Sequence, residues 1–178
     1  MKNLSLFFLL TISLLYFCSK DKSSNPKALT PEDLLIKDNE ISGWVRSGDF
    51  WTASSAGDLN NYINGEAVIY TNRGFVEAAK QEYQGNILGN TETIELRIFD
   101  QGTAENAQSV FDELVLQMSS PIDWTADSGD WAKIERFPLS QKLIFWKEKY
   151  FISLTITSGL DEALNVLKTF GNNVYVKI

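Results

Sequence analysis

The sequence has no histidine and one cysteine among its 178 residues. Each shortage closes off a class of chemistry. Without imidazole there is no histidine general base, no Ser-His-Asp triad and no histidine-ligated zinc or haem. With Cys18 as the sole thiol, neither an internal disulfide nor a multi-thiolate metal site can form. Cations are also in deficit: 16 Lys and Arg face 23 Asp and Glu, for a formal net charge of −7. Such a surface repels phosphate backbones and anionic headgroups, so no nucleic acid partner is expected. Long apolar runs are absent after the first 17 residues.

That first stretch differs from the rest. Lys2 precedes an apolar run from Leu4 to Phe17, broken by Ser5, Thr11 and Ser13. It is too short for the helix of about 20 residues that spans about 30 Å of hydrocarbon. It fits instead the apolar region of a secretory signal, about 7–15 residues long. Cys18 ends the run and polar Ser19-Lys20-Asp21-Lys22 follows. The arrangement resembles the lipobox of bacterial lipoproteins, in which the cysteine is acylated and becomes the mature N-terminus. Leu15 matches the usual residue three before the cysteine, whereas Phe17 stands where a small residue is usual. Removing residues 1–17 leaves 15 basic against 23 acidic side chains, a net of −8. The expected organisation is a signal peptide over 1–17, a tether over 18–28 and one domain over 29–178. The membrane would be reached through lipid on Cys18, with the domain on the extracytoplasmic side of a bacterial envelope. An acylated Cys18 would leave that domain without a cysteine nucleophile.

The full chain is 44% hydrophobic and 22% charged, ordinary for one globular unit. Thr30-Pro31-Glu32-Asp33 reads as a helix start running to about Ile36. Residues 43–51 read as two short extended segments around a turn. Leu59 to Tyr83 is the organising stretch: a helix broken at Asn64-Gly65, resumed from Ala67 to Tyr70, and closed at Gly74. A strand over Phe75–Tyr83 and a cleanly alternating one over Thr93–Phe99 should form a hairpin, with Ile94, Leu96 and Ile98 on one face. Thr103 caps the clearest helix, on which Ala107, Val110, Phe111, Leu114, Val115 and Met118 form one stripe. The stripe is expected to pack on the hairpin face holding Leu96 and Ile98. Strands over Trp131–Phe137, Leu143–Trp146 and Tyr150–Thr157 follow, then a helix with Leu160, Leu164 and Leu167 ending at Gly171. Val174–Ile178 reads as a possible edge strand. Short connections and hairpins predict an α+β domain, a mainly antiparallel sheet with helices packed on it.

Several of these pieces together resemble the DUF6599-like family of bacterial secreted proteins and lipoproteins. They are Gly43-Trp44 with Gly48-Asp49; Tyr62-Ile63-Asn64-Gly65-Glu66-Ala67 with Tyr70; Gly74-Phe75; Glu95 to Gly102 with Glu105-Asn106-Ala107; and Leu143 to Lys147. They cover most of residues 41–157 in the family's order. The chain departs at Glu66, where a small residue is common, and at Gln108-Ser109, where a Phe-Gly pair is frequent. The resemblance implies a secreted domain and carries over no catalytic residue.

Three constellations are candidates for function. Tyr62, Asn64 and Glu66 lie at the helix break and could form a small polar ligand site; Asn64-Gly65 as a simple turn competes with that reading. Asp123, Asp127, Ser128 and Asp130 share a loop, but their spacing does not match a calcium loop. Trp124, placed among those aspartates, is the tryptophan least expected in the core and a candidate ligand contact. Paired carboxylates for glycoside cleavage need a defined separation and a cleft, and nothing singles out a pair. No metal or cofactor is expected. The sequence thus points to a non-enzymatic, lipid-anchored envelope module that binds a small molecule or an envelope protein. The alternative is a carboxylate-dependent hydrolase acting on an envelope substrate.

Overall fold

The computed structural model describes residues 28–124 and 132–178. Its centre is a seven-stranded sheet in the order β1-β2-β3-β7-β6-β5-β4, antiparallel at every pairing. The strands are β1 (Val45–Ala53), β2 (Glu77–Ile87), β3 (Asn90–Asp100), β4 (Ile122–Asp123), β5 (Ala132–Phe137), β6 (Ser140–Lys147) and β7 (Tyr150–Ile156). The helices are α1 (Ala56–Ile63), α2 (Ala67–Thr71), α3 (Ala104–Leu116) and α4 (Asp161–Lys177), with a 3₁₀ turn Asn64–Glu66 between the first two. The chain is therefore an α+β domain.

Helices cover both faces, so there are two cores. On one face α4 lays Ala163, Leu167, Phe170 and Val174 against Ile94, Leu96, Ile98, Leu143, Ile152 and Leu154. Trp44 and Tyr83 meet the Phe170 ring edge-on, both at 5.3 Å. On the other face α1, α2 and α3 pack Leu59, Tyr70, Val110, Phe111 and Leu114 against Ala78, Phe99, Ile144 and Phe151. The α3 stripe is thus buried, but over Phe99 and Phe151 rather than Leu96 and Ile98. Successive strand residues point to opposite faces, and α4 already occupies the Leu96 side.

Four other local expectations are corrected. Residues 31–35 form turns, not a helix, closed by Thr30 and Asp33 bonding to each other's side chains and amides. Leu34, Leu35 and Ile36 are all buried, and three consecutive residues cannot share one helical face. The Tyr83 hydroxyl pins this segment, accepting from Ile36 N and donating to Ile36 O, both at 3.0 Å; burial pushes its pKa up to about 12. Residues 45–53 form one strand whose register shifts between Ser47 and Phe50, not two segments. β2 runs on to Ile87 rather than ending at Tyr83, and at Gly85 a β-carbon would stand 2.4 Å from the Trp44 ring. The hairpin turn falls at Leu88-Gly89, both at positive φ. Finally, residues 174–177 continue α4 instead of forming an edge strand. Ala163, Leu167, Phe170 and Val174 keep the helical spacing, and Gly171 lets Leu143 and Trp124 approach.

Candidate functional site

The organising stretch folds largely as its sequence implies. Ser55 caps α1 by accepting from Asp58 N at 3.1 Å. Asn64 then takes φ 50, ψ −133, and its N–H still donates to Asn60 O. Asparagine tolerates this left-handed φ through its short polar side chain. Gly65 has no positive φ and open space at its α-carbon, so the break is made by Asn64 alone. Gly74, at φ 79, would place a β-carbon 2.2 Å from Asn106 Nδ2 and 3.0 Å from Gln101 O.

The motif residues around Gly74 converge on one structural joint. Val76 N donates to Asp100 O at 2.9 Å, and Gln101 N donates to Lys149 O at 2.8 Å. Asp100 accepts from Gly102 N at 2.8 Å and pairs with Lys149, whose pKa that bond raises. Asn106 Nδ2 donates to Gln101 O at 2.9 Å. The buried Gln101 amide, oriented by its partners, donates to Arg73 O at 2.9 Å and Tyr70 O at 3.1 Å. Those carbonyls lie in the last turn of α2 and just beyond it, and the Tyr70 carbonyl also accepts from Arg73 N at 3.0 Å. This joint ties together α2, β2, β3, α3 and the β6–β7 turn, and it is filled.

The surface beyond the joint is different. Paired residues on neighbouring strands share a face, so the α1–α3 side can be read in rows. The first row, Ala53, Ala78, Phe99, Phe151 and Trp146, is apolar and lies under the helices. The second is Trp51, Lys80, Arg97, Ser153 and Ile144. The third, Ser47, Glu82, Glu95, Thr155 and Lys142, is polar throughout, and Gln84 and Thr93 follow it. An ion-pair chain crosses these rows. Lys80 sits between Glu82 and Glu95, the latter at 3.5 Å; Arg97 Nε meets Glu95 at 2.7 Å, and Arg97 Nη1 meets Glu66 at 3.3 Å. Lys80 is only 4% exposed, and burial of an ammonium is tolerated because two carboxylates compensate it. Glu82 is seated in the β1 irregularity, where a β-carbon on Gly48 would collide with its carboxylate.

At the margin of this strip stand two aromatic rings. Trp51 and Tyr62 stack with centroids 4.8 Å apart and planes 5° from parallel, and Tyr62 is 49% exposed. Burial raises the neighbouring Tyr70 phenol well above its usual pKa, and the Glu66 carboxylate adds to that rise. The structure thus brings Tyr62, Asn64 and Glu66 to one surface and adds Trp51, Lys80, Glu82, Glu95 and Arg97. Trp124 does not join them. It lies partly buried against the α4-side core, 3.2 Å from a β-carbon built on Gly171, on the opposite side of the sheet from the Trp51–Tyr62 stack. Asp123 pairs with Lys133. Asp127, Ser128, Asp130 and Cys18 lie outside the described residues.

Neither a family model nor a curated protein matches this sequence. Among solved structures, the extracellular domain of PknH from Mycobacterium tuberculosis does. The TM-score is 0.50 at 9% identity, over 83% of this chain and 97% of that one. The similarity is one of fold. Among the described residues, no helix is long and apolar enough to cross a membrane, and no group of three His, Cys, Asp or Glu could hold a metal ion. A separate open cleft of about 580 Å³ lies beside Glu92, Pro138, Leu139 and residues 157–160, and none of the site residues lines it.

Proposed function

We propose that the chain is a lipid-anchored module of the bacterial cell envelope, held by Cys18 on the extracytoplasmic side, that binds a ligand without transforming it. The observation that carries this reading is the uncovered polar strip beside Tyr62. A sheet face kept only for stability is best closed by a helix over apolar residues, as the Phe99 row is. The Arg97 pairs with Glu66 and Glu95 are partly exposed on both sides and return about 0–1 kcal/mol each, so this part of the strip contributes little to folding and is available for recognition. The fold shared with an extracellular domain accords with an extracytoplasmic location, as does the resemblance to DUF6599-like secreted proteins.

The hydrolase reading fares worse at this surface. Carboxylate catalysis needs one acid kept protonated and a second group free to attack or to activate water. Here Glu66 is engaged by Arg97, Glu95 by Arg97 and Lys80, and Glu82 by Lys80. Each of these carboxylates is already held by a cation, so none stands free to attack or to activate water.

Anchoring is tested by growing cells with a fatty-acid probe. The natural chain should be labelled and sediment with membranes, whereas Cys18→Ser should lose both properties. Equal labelling of the variant would overturn the lipoprotein assignment.

A further inference from the structure

Resting on the binding-module reading, the strip also carries information about its ligand, and we infer that it takes a neutral carbohydrate chain. Charge is the first argument. The protein is strongly acidic overall, with a net of −7, yet the strip is balanced: Glu66, Glu82 and Glu95 stand against Lys80, Arg97 and Lys142. A surface that selected an anion or a cation would carry an excess of the opposite sign. This one has none, and its charges are neutralised by one another.

The second argument is hydrogen-bonding capacity. Gln84, Thr93, Ser153 and Thr155 occupy this face in adjacent register positions, Gln84 opposite Thr93 and Arg97 opposite Ser153. Their hydroxyls and amide both donate and accept. Around them, ion-paired Glu and Arg groups keep spare lone pairs and N–H groups at fixed positions. A row of sugar hydroxyls has the same double character and can pair with each. Peptide backbones dock more readily by adding to a sheet edge, and the face of a sheet offers them no such ladder.

The third argument is the aromatic wall. The Tyr62 ring stacks on Trp51 at 4.8 Å, and about half of Tyr62 stays open to solvent. An aromatic ring has an apolar body and a polar tip. A pyranose has an apolar face of C–H groups and an equatorial belt of hydroxyls. The first can lie on Tyr62 while the second meets the polar strip. Because the ring is already stacked before binding, less ordering cost remains to be met.

The test uses the purified Cys18→Ser chain and a panel of soluble probes: cello-, chito- and malto-hexaose as neutral glycans, heparin as a polyanion, and a lysine-rich peptide as a polycation. Binding is read by calorimetry and by tryptophan fluorescence, with thermal melts to confirm folding. At least one neutral hexaose should bind, Tyr62→Ala should weaken it about tenfold or more, and Thr155→Val should weaken it less; all variants should melt near the parent. Binding that is unchanged in Tyr62→Ala would overturn the site, and absence of neutral-glycan binding would overturn the ligand class. Heparin or peptide bound in a Tyr62-dependent way would keep the binding module and refute the carbohydrate. If no probe binds at all, the carbohydrate inference fails, while fatty-acid labelling of Cys18 decides the anchoring separately.

Discussion

At the scale of single residues, the two glycines of the organising stretch play different parts. Gly74 has φ 79, and a β-carbon there would stand 2.2 Å from Asn106 Nδ2 and 3.0 Å from the Gln101 carbonyl. A β-carbon there costs about 1–2 kcal/mol in backbone strain before any collision. Gly74→Ala should therefore destabilise the domain by about 2–4 kcal/mol in urea unfolding, within the range known for strained or overpacked sites. Asparagine relieves only the backbone part, so Gly74→Asn should also be costly. Gly65→Ala should be neutral or stabilise by up to about 1 kcal/mol, because its site is open and its φ unexceptional. A stable Gly74→Ala, or a damaging Gly65→Ala, would contradict this. The sequence pattern marks both glycines equally. Only the coordinates show that Asn64 has taken over the left-handed position and freed Gly65 from it.

At the scale of elements, periodicity reads the existence and type of most helices and strands correctly but not which face each helix covers. The α3 stripe is plain in Ala107, Val110, Phe111 and Leu114. Its partner is not, because β3 presents Leu96 and Ile98 to one side and Phe99 to the other. One residue along the strand changes the face. Leu114→Ala should cost about 2–5 kcal/mol. Combined with Ile144→Val, in the same core, it should depart from additivity by more than about 0.5 kcal/mol. Combined with Leu96→Ala, across the sheet, it should add. The reverse pattern would place α3 on the wrong face. The α4 terminus shows a related limit. Val174 to Ile178 alternates as a strand would, yet Val174 also completes the Ala163–Leu167–Phe170 spacing, and packing on the sheet decides for helix.

At the scale of the whole molecule, the candidate site was half legible. Tyr62, Asn64 and Glu66 are adjacent in sequence and stay together, and the Glu95–Arg97 alternation already places those two away from the Leu96 core. Lys80 and Glu82 could not be joined to them without the hairpin register, which sets Lys80 opposite Arg97 and Glu82 opposite Glu95. Trp124 reads as remote from the core because its neighbours in sequence are polar, whereas its neighbours in space are Gly171 and the α4 core. The central claim, that an envelope-anchored domain recognises its ligand through the strip beside Tyr62, is tested most directly by amide hydrogen exchange. The exchange would be compared between the anchored chain in native envelope membranes and the Cys18→Ser domain in solution. Added protection should be confined to the Tyr62–Glu66 junction and to residues 80–84, 93–97 and 153–155. Protection centred on α4, or identical exchange in the two preparations, would contradict the account.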